Sequence, residues 1–197
     1  QKIPHAQVII LEKTSKLLSK VKISGGGRCN VTHHCFENNK LVKHYPRGQN
    51  FLKKIFNQFS VTDTIAWFEK RGVQLKTEAD GRMFPASNSS QSIIDCLLSE
   101  ASKLQIKINM HTEVVAINKL ENGSFILDLK NNNTIEADYL CIAGGGYNKL
   151  SAYNFLSALG IDIIPPTPSL FSFNIGNSRL KNFMGVSVPH VQVKITG

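Results

Sequence analysis

Three glycines in a row, Gly25, Gly26 and Gly27, stand between Ser24 and the sequence Arg28-Cys29-Asn30. Glycine loses more backbone freedom on folding than any other residue. A folded chain therefore keeps such a run only where the main chain must adopt conformations, or permit approaches, that side chains forbid. One use is to bring main-chain N–H groups against an anionic group such as a pyrophosphate. Arg28 can add two parallel hydrogen bonds, Lys20 further positive charge, and Ser24 and Asn30 more donors. The other use is a tight connection between two elements. A Walker-type phosphate loop is excluded, because Gly-Lys-Ser/Thr is missing.

Two further signals bear on that choice. Residues 6–13, AQVIILEK, form an almost continuous apolar run ending in an acid, the pattern of a strand buried on both faces of a parallel sheet. Glu12 at its end is placed to accept hydrogen bonds from a ribose, as in dinucleotide-binding βαβ units, or is an ordinary strand-end acid. The glycine turn that usually precedes such an acid is not among the 11 residues before it, so the expectation is that this turn lies upstream of residue 1. Residues 138–146, DYLCIAGGG, read as a second buried strand running into glycines at the carboxyl edge of a sheet, where open α/β folds bind ligands.

Between these signals the pattern alternates. Residues 50–72 predict two helices, the second capped by Thr62 or Asp63 and ended by Gly72. A short strand follows at 73–78, then an amphipathic helix over 87–104. Period-2 alternation broken at Asn122-Gly123 and Asn131–Asn133 predicts a meander of about three strands. A helix closed by Gly160 covers 150–160, and the prolines of IPPTPS (164–169) mark a change of direction before an extended remainder. The reading is an α/β domain over 1–164 and the start of another over 165–197.

Composition narrows the partners. The 197 residues contain no run of about 18 apolar residues to span a membrane, and no charged-then-apolar leader supports secretion. Cys29, Cys35, Cys96 and Cys141 form no Cys-x-x-Cys pair, so the expectation is free thiols in a reducing, cytoplasmic setting without zinc. The histidines lack ligand spacing, and no metal is expected. The formal net charge of +9 suits nucleic acid, an anionic cofactor or a solvated basic surface. No RNA-binding motif or basic-aromatic interleaving supports the first, and Trp67, Phe56, Phe59 and Phe68 read as helix core.

The segments KVKISGGGRCNVT, GRMFPASNSSQSIIDCL, TEVVAI and ADYLCIAGGGYNKLSAYNFLSALGIDIIPPTPSLF, in this order, resemble one family. It is the HI0933-like group of bacterial flavoproteins, the BaiN- or YhiN-type NAD(P)/FAD-dependent oxidoreductases. The resemblance implies a Rossmann-like, glutathione-reductase-like FAD-binding domain with a β-meander and an inserted, mainly β domain beginning near 165. It implies a small-molecule substrate and hydride or two-electron transfer, with NAD(P)H as possible reductant. On this resemblance Glu12, with Lys13 beside it, would hold the adenosine ribose of FAD. Lys20 and the stretch Ser24, Gly25, Gly26, Gly27, Arg28, Cys29 and Asn30 would line the pyrophosphate and flavin. Val114 would contact adenine through its main chain, and Ala143, Gly144 and Gly145 would approach from a second edge. Cys29 would be a small residue packed beside the cofactor, or half of a redox disulfide with Cys35. Two other classes stay open: a nucleic-acid-binding or RNA-modifying flavoprotein of this fold, and a binding module without turnover.

Overall fold

The computed structural model of the chain describes residues 6–147 and 149–167, with the single positions 182, 191, 192 and 194. It comprises two compact units, Gln1–Ile142 and Ala143–Gly197. The first carries β1 (Ile9–Leu11), α1 (Ser19–Gly27), β2 (Thr32–His33), α2 (Asn38–Leu41), α3 (Gln49–Phe56), α4 (Val61–Glu69), β3 (Leu75–Thr77), β4 (Arg82–Pro85), α5 (Ser90–Lys103), β5 (Lys107–Asn109), β6 (Val114–Lys119), β7 (Phe125–Leu129) and β8 (Thr134–Ala137). A 3₁₀ turn at Val42–His44 joins the α2 and α3 region. The fold is α/β, with a parallel β1–β5 pair and two antiparallel sheets, ordered β2-β4-β3 and β6-β7-β8.

The local sequence explains most of these elements. Ser89 caps α5 by accepting from Gln91 N at 3.2 Å, and the helix buries Ile93, Ile94 and Cys96 at helical spacing. The cap of helix α4 lies two or three residues earlier than Thr62 or Asp63 suggested. Its N-cap is Ser60, whose N and Oγ both donate to Asp63 Oδ2 at 2.7 Å, so Asp63 serves as the third helical residue of a capping box. Gly72, at φ +82°, ends that turn as expected. The meander turns at Asn122-Gly123 and at Asn132, both with positive φ available, as the alternation predicted.

The core beside the glycines joins Cys29, Phe68, Ile93 and Cys96, with Val21, Val31, Trp67, Val73, Leu75 and Leu97 packed around them. Helix α1 thus lies on α5, and α4 and α5 back the β2-β4-β3 sheet. Phe84 and Pro85 of β4 are fully buried between these layers. A second cluster of buried residues, Ile117, Leu127 and Leu129, belongs to the meander.

Two expectations for strands change. Residues 9–11 do form a parallel strand, but Ile9 and Ile10 are each 42% exposed, because β5 is the only partner of β1 among the described residues. Residues 138–146 form no strand. Tyr139 is 84% exposed and the segment has no ladder partner, so an apolar run alone did not suffice to make a strand there. In the second unit the 150–160 helix is a 3₁₀ turn, Leu150–Tyr153, followed by α6 (Asn154–Ser157), with Gly160 at φ +75°. Among the described residues no helix is long and apolar enough to cross a membrane. The expected start of an inserted β domain, 165–197, falls mostly outside the described residues.

Candidate functional site

The glycine run is a break in a helix. Helix α1 is regular to Ile23, and then Ser24 turns extended (φ −63°, ψ 148°). Gly25, Gly26 and Gly27 follow at φ +55°, +67° and +83°. Three successive left-handed residues cost L side chains roughly 1–2 kcal/mol each, so the sequence answers this geometry with glycine at each position. The turn is closed from within: the N–H groups of Arg28 and Cys29 both donate to Ser24 O, the latter at 3.0 Å. Ser24 Oγ donates to Val21 O at 2.8 Å. Cys29 itself sits at φ +61° with its thiol buried in the core.

The three glycines differ in surroundings. A Cβ on Gly25 would fall 2.9 Å from Asn30 N and 2.9 Å from Phe84 Cε1. A Cβ on Gly26 would meet nothing within 4 Å, so the turn is open there. Phe84 is the clasp. Its ring carries the Arg28 guanidinium 4.0 Å from its centroid, and Arg28 Nη1 makes an ion pair with Glu78 Oε1. Glu78 Oε2 lies 3.5 Å from Arg82 Nη2, and Arg82 Nε is 2.6 Å from Asp80. Main-chain bonds Val31 N to Met83 O (2.9 Å) and His34 N to Gly81 O (2.7 Å) run alongside. With its amide turned so that the nitrogen faces the neighbouring carbonyls, Asn30 reaches Thr32 O at 2.9 Å and Met83 O at 3.2 Å. The pairing of the SGGGRCN and GRMFP motifs is therefore a physical contact. Phe84, from the GRMFP segment, and Glu78 carry it, and of the two only Glu78 lay outside the segments that carry the resemblance.

A second group of the expected residues gathers at the end of β1. Glu12 Oε1 accepts from Thr14 N at 2.8 Å and from Thr14 Oγ1 at 2.7 Å. The hydroxyl of Thr14, then its amide, hold the Glu12 carboxyl below the usual carboxylate range. Oε2 takes no hydrogen bond among the described residues. Thr112 N donates to Glu12 O at 2.9 Å and His111 N to Thr14 O at 3.3 Å, tying the strand end to the start of β6. A cavity of about 330 Å³ opens there, with Lys13, His111, Thr112 and Glu113 on one side and Leu129, Lys130 and Asn131 on the other. Val114 begins β6, the outer strand of the meander, opposite Leu129, and a register shift separates it from Ala116.

The structure thus brings Glu12, Lys13 and Val114 together at one place and Ser24–Asn30 at another, with Lys20 on the exposed face of α1. Ala143, Gly144 and Gly145 belong to the second unit, where they are exposed and lie in no helix or strand, with Gly145 at φ +74°. Gly144 is held small by the Tyr147 hydroxyl, 2.5 Å from where its Cβ would stand, and Tyr147 packs edge-on against Tyr153 at 5.2 Å. Cys29 and Cys35 are both free thiols, and among the described residues no cluster of metal-ligating side chains occurs.

These residues suit a dinucleotide in their donor set: an open main-chain turn at Gly26, an acceptor at Glu12 Oε2 and a cation at Lys13. Residues 2–194 match the HI0933-like protein Rossmann domain. The chain is 30% identical over 194 residues to a ribosomal RNA dihydrouridine synthase of Escherichia coli, covering 94% of this chain and 47% of that protein. It is 25% identical over 187 residues to the 3-dehydro-bile acid delta(4,6)-reductase of Clostridium scindens, covering 92% and 44%. It is 27% identical over 195 residues to a ribosomal RNA dihydrouridine synthase of Haemophilus influenzae, covering 92% and 47%. The chain spans about half the length of these relatives. With the match running over nearly its whole length, the chain belongs to the HI0933-like family and carries that family's Rossmann domain.

Proposed function

We propose that this chain is the cofactor-binding part of an FAD-dependent oxidoreductase that draws electrons from NAD(P)H. The observation that supports this most is the left-handed turn at Gly25–Gly27, closed toward Phe84 at Gly25 and open at Gly26. Bound FAD would supply two-electron, hydride-type chemistry. The chain's own residues bind and orient it. Glu12 accepts a ribose hydroxyl through Oε2, with Lys13 offsetting phosphate charge, and the main chain at Val114 takes the adenine. Lys20 and the turn from Ser24 to Asn30 would face the pyrophosphate and flavin. Arg28 contributes by holding the turn, because its guanidinium is engaged by Glu78 and Phe84. The organisation we propose is glutathione-reductase-like, with a cofactor domain over 1–164 and an inserted, mainly β domain opening at 165, in a cytoplasmic bacterial enzyme.

The relatives' names support a substrate class. A dihydrouridine synthase and a delta(4,6)-reductase of a 3-oxo bile acid both saturate a carbon–carbon double bond conjugated to a carbonyl. We infer that this protein reduces such a bond, and two of the three relatives favour the uracil ring of RNA as its carrier.

The full-length gene product should be yellow as purified, with the visible absorption of oxidised flavin, and Gly26→Val should lose the flavin while keeping its circular dichroism. A colourless protein that takes up no added FAD would overturn the reading.

A further inference from the structure

Residues 36–59 hold five cationic side chains, Lys40, Lys43, Arg47, Lys53 and Lys54, against one acid, Glu37. Glu37 pairs with Lys40 at 2.6 Å. Lys43, Lys53 and Lys54 make no ion pair among the described residues, and all three are exposed.

Helix α3 arranges this charge around an apolar ridge. At 3.6 residues per turn, Leu52 and Phe56 share the inward side, where Phe56 meets the Tyr45 ring at 5.9 Å. Lys54 then lies near the middle of the outward arc, with Phe51 and Ile55 on one flank and Lys53 on the other. Phe59 N donates to Ile55 O at 3.0 Å, which carries the turning of the chain three residues past the end of α3. Phe51, Ile55 and Phe59 therefore form a ridge at i, i+4, i+8, exposed by 67%, 41% and 49%. The sequence pattern had put Phe56, Phe59, Trp67 and Phe68 in the core, of which only Phe68 is buried and Trp67 packs beside it.

An exposed aromatic ridge with unpaired lysines beside it fits a partner that carries both flat rings and regular negative charge. Nucleotides do this: bases stack on aromatic side chains while lysines follow the phosphates. Ridge residues repeat about every 6 Å along the axis, a step that an unstacked strand can follow. An anionic membrane is the poorer match, because three apolar side chains on barely two turns bury little in a bilayer. We propose that the face built by Phe51, Lys54 and Phe59, with Lys53 on its far flank, docks single-stranded RNA. The inference rests on the uracil reading above and adds where on the chain the RNA lies.

The test uses the full-length gene product and a fluorescently labelled oligouridine, followed by anisotropy across salt concentrations. Lys53→Glu/Lys54→Glu should weaken binding at least about fivefold and flatten the salt slope by about 1.4, near 0.7 per lost phosphate contact. Phe51→Ala/Phe59→Ala should weaken it at least about fivefold with the salt slope unchanged, because stacking alone is removed. The milder Lys53→Gln/Lys54→Gln pair guards against misfolding, and should lower affinity and slope in the same sense. Flavin content should stay at the wild-type level in every variant. RNA affinity that is unchanged in all of them, or binding to phosphatidylserine vesicles but not to oligouridine, would overturn the proposal. A colourless protein that still binds RNA through these residues would instead overturn the FAD reading and leave this one standing.

Discussion

Gly25 and Gly26 are neighbours with the same sign of φ and different work. Gly25 is pressed between Asn30 N and the Phe84 ring, whereas Gly26 faces space. Gly25→Ala adds overpacking to left-handed strain and should lower unfolding free energy by about 2–4 kcal/mol. Gly26→Ala carries the strain alone, about 1–2 kcal/mol. Urea titrations of the two variants side by side should show that order, and equal losses would remove the account of the turn. Arg28→Ala removes both the ion pair with Glu78 and the stack on Phe84, so it should cost about 1–2 kcal/mol, more than Glu78→Gln, which keeps the stack. The need for three glycines was plain in the sequence, because nothing else in the code adopts that backbone so cheaply. The division of labour among them was not, because it depends on Phe84, a residue far along the chain that arrives through the β2-β4 pairing.

Among the elements, those whose stability is local were readable. Helix α5 has its cap, its apolar face and its length written in one continuous stretch, and so has the meander with its asparagine-glycine turn. Helix α4 was placed correctly but started from the wrong residue, since a serine at the cap and an aspartate at the third position exchange bonds and either can be mistaken for the start. Asp63→Ala should therefore lower the denaturant midpoint, although its side chain is on the surface. Residues 138–146 misled because a strand needs a neighbour, which no local pattern supplies. Helix α3 misled in the other direction. Its period announces an apolar face but not whether the structure covers it, and Phe51 stays outside.

At the scale of the whole molecule, several carboxylates are tuned alike. Glu12 is held low by Thr14, Asp63 by the amide and hydroxyl of Ser60, Glu100 by Lys103 and Arg71, and Glu113 by Lys130. Unfolded, these groups take up protons at the ordinary carboxylate value of about 4. The stability they contribute is thus complete above that range and is lost as pH falls through their lower folded values. The thermal midpoint should be flat with respect to these groups between pH 7 and about pH 5, and should fall at pH values below about 4. A midpoint that rises on acidification below that range would contradict the hydrogen bonds described. The clasp between Phe84, Arg28 and Gly25 has a bearing on engineering. The glycine turn keeps its shape by leaning on a strand that the chain reaches only much later, so a chimera that transplants SGGGRCN alone into a foreign scaffold would inherit the letters without the contour, and the GRMFP strand has to travel with it.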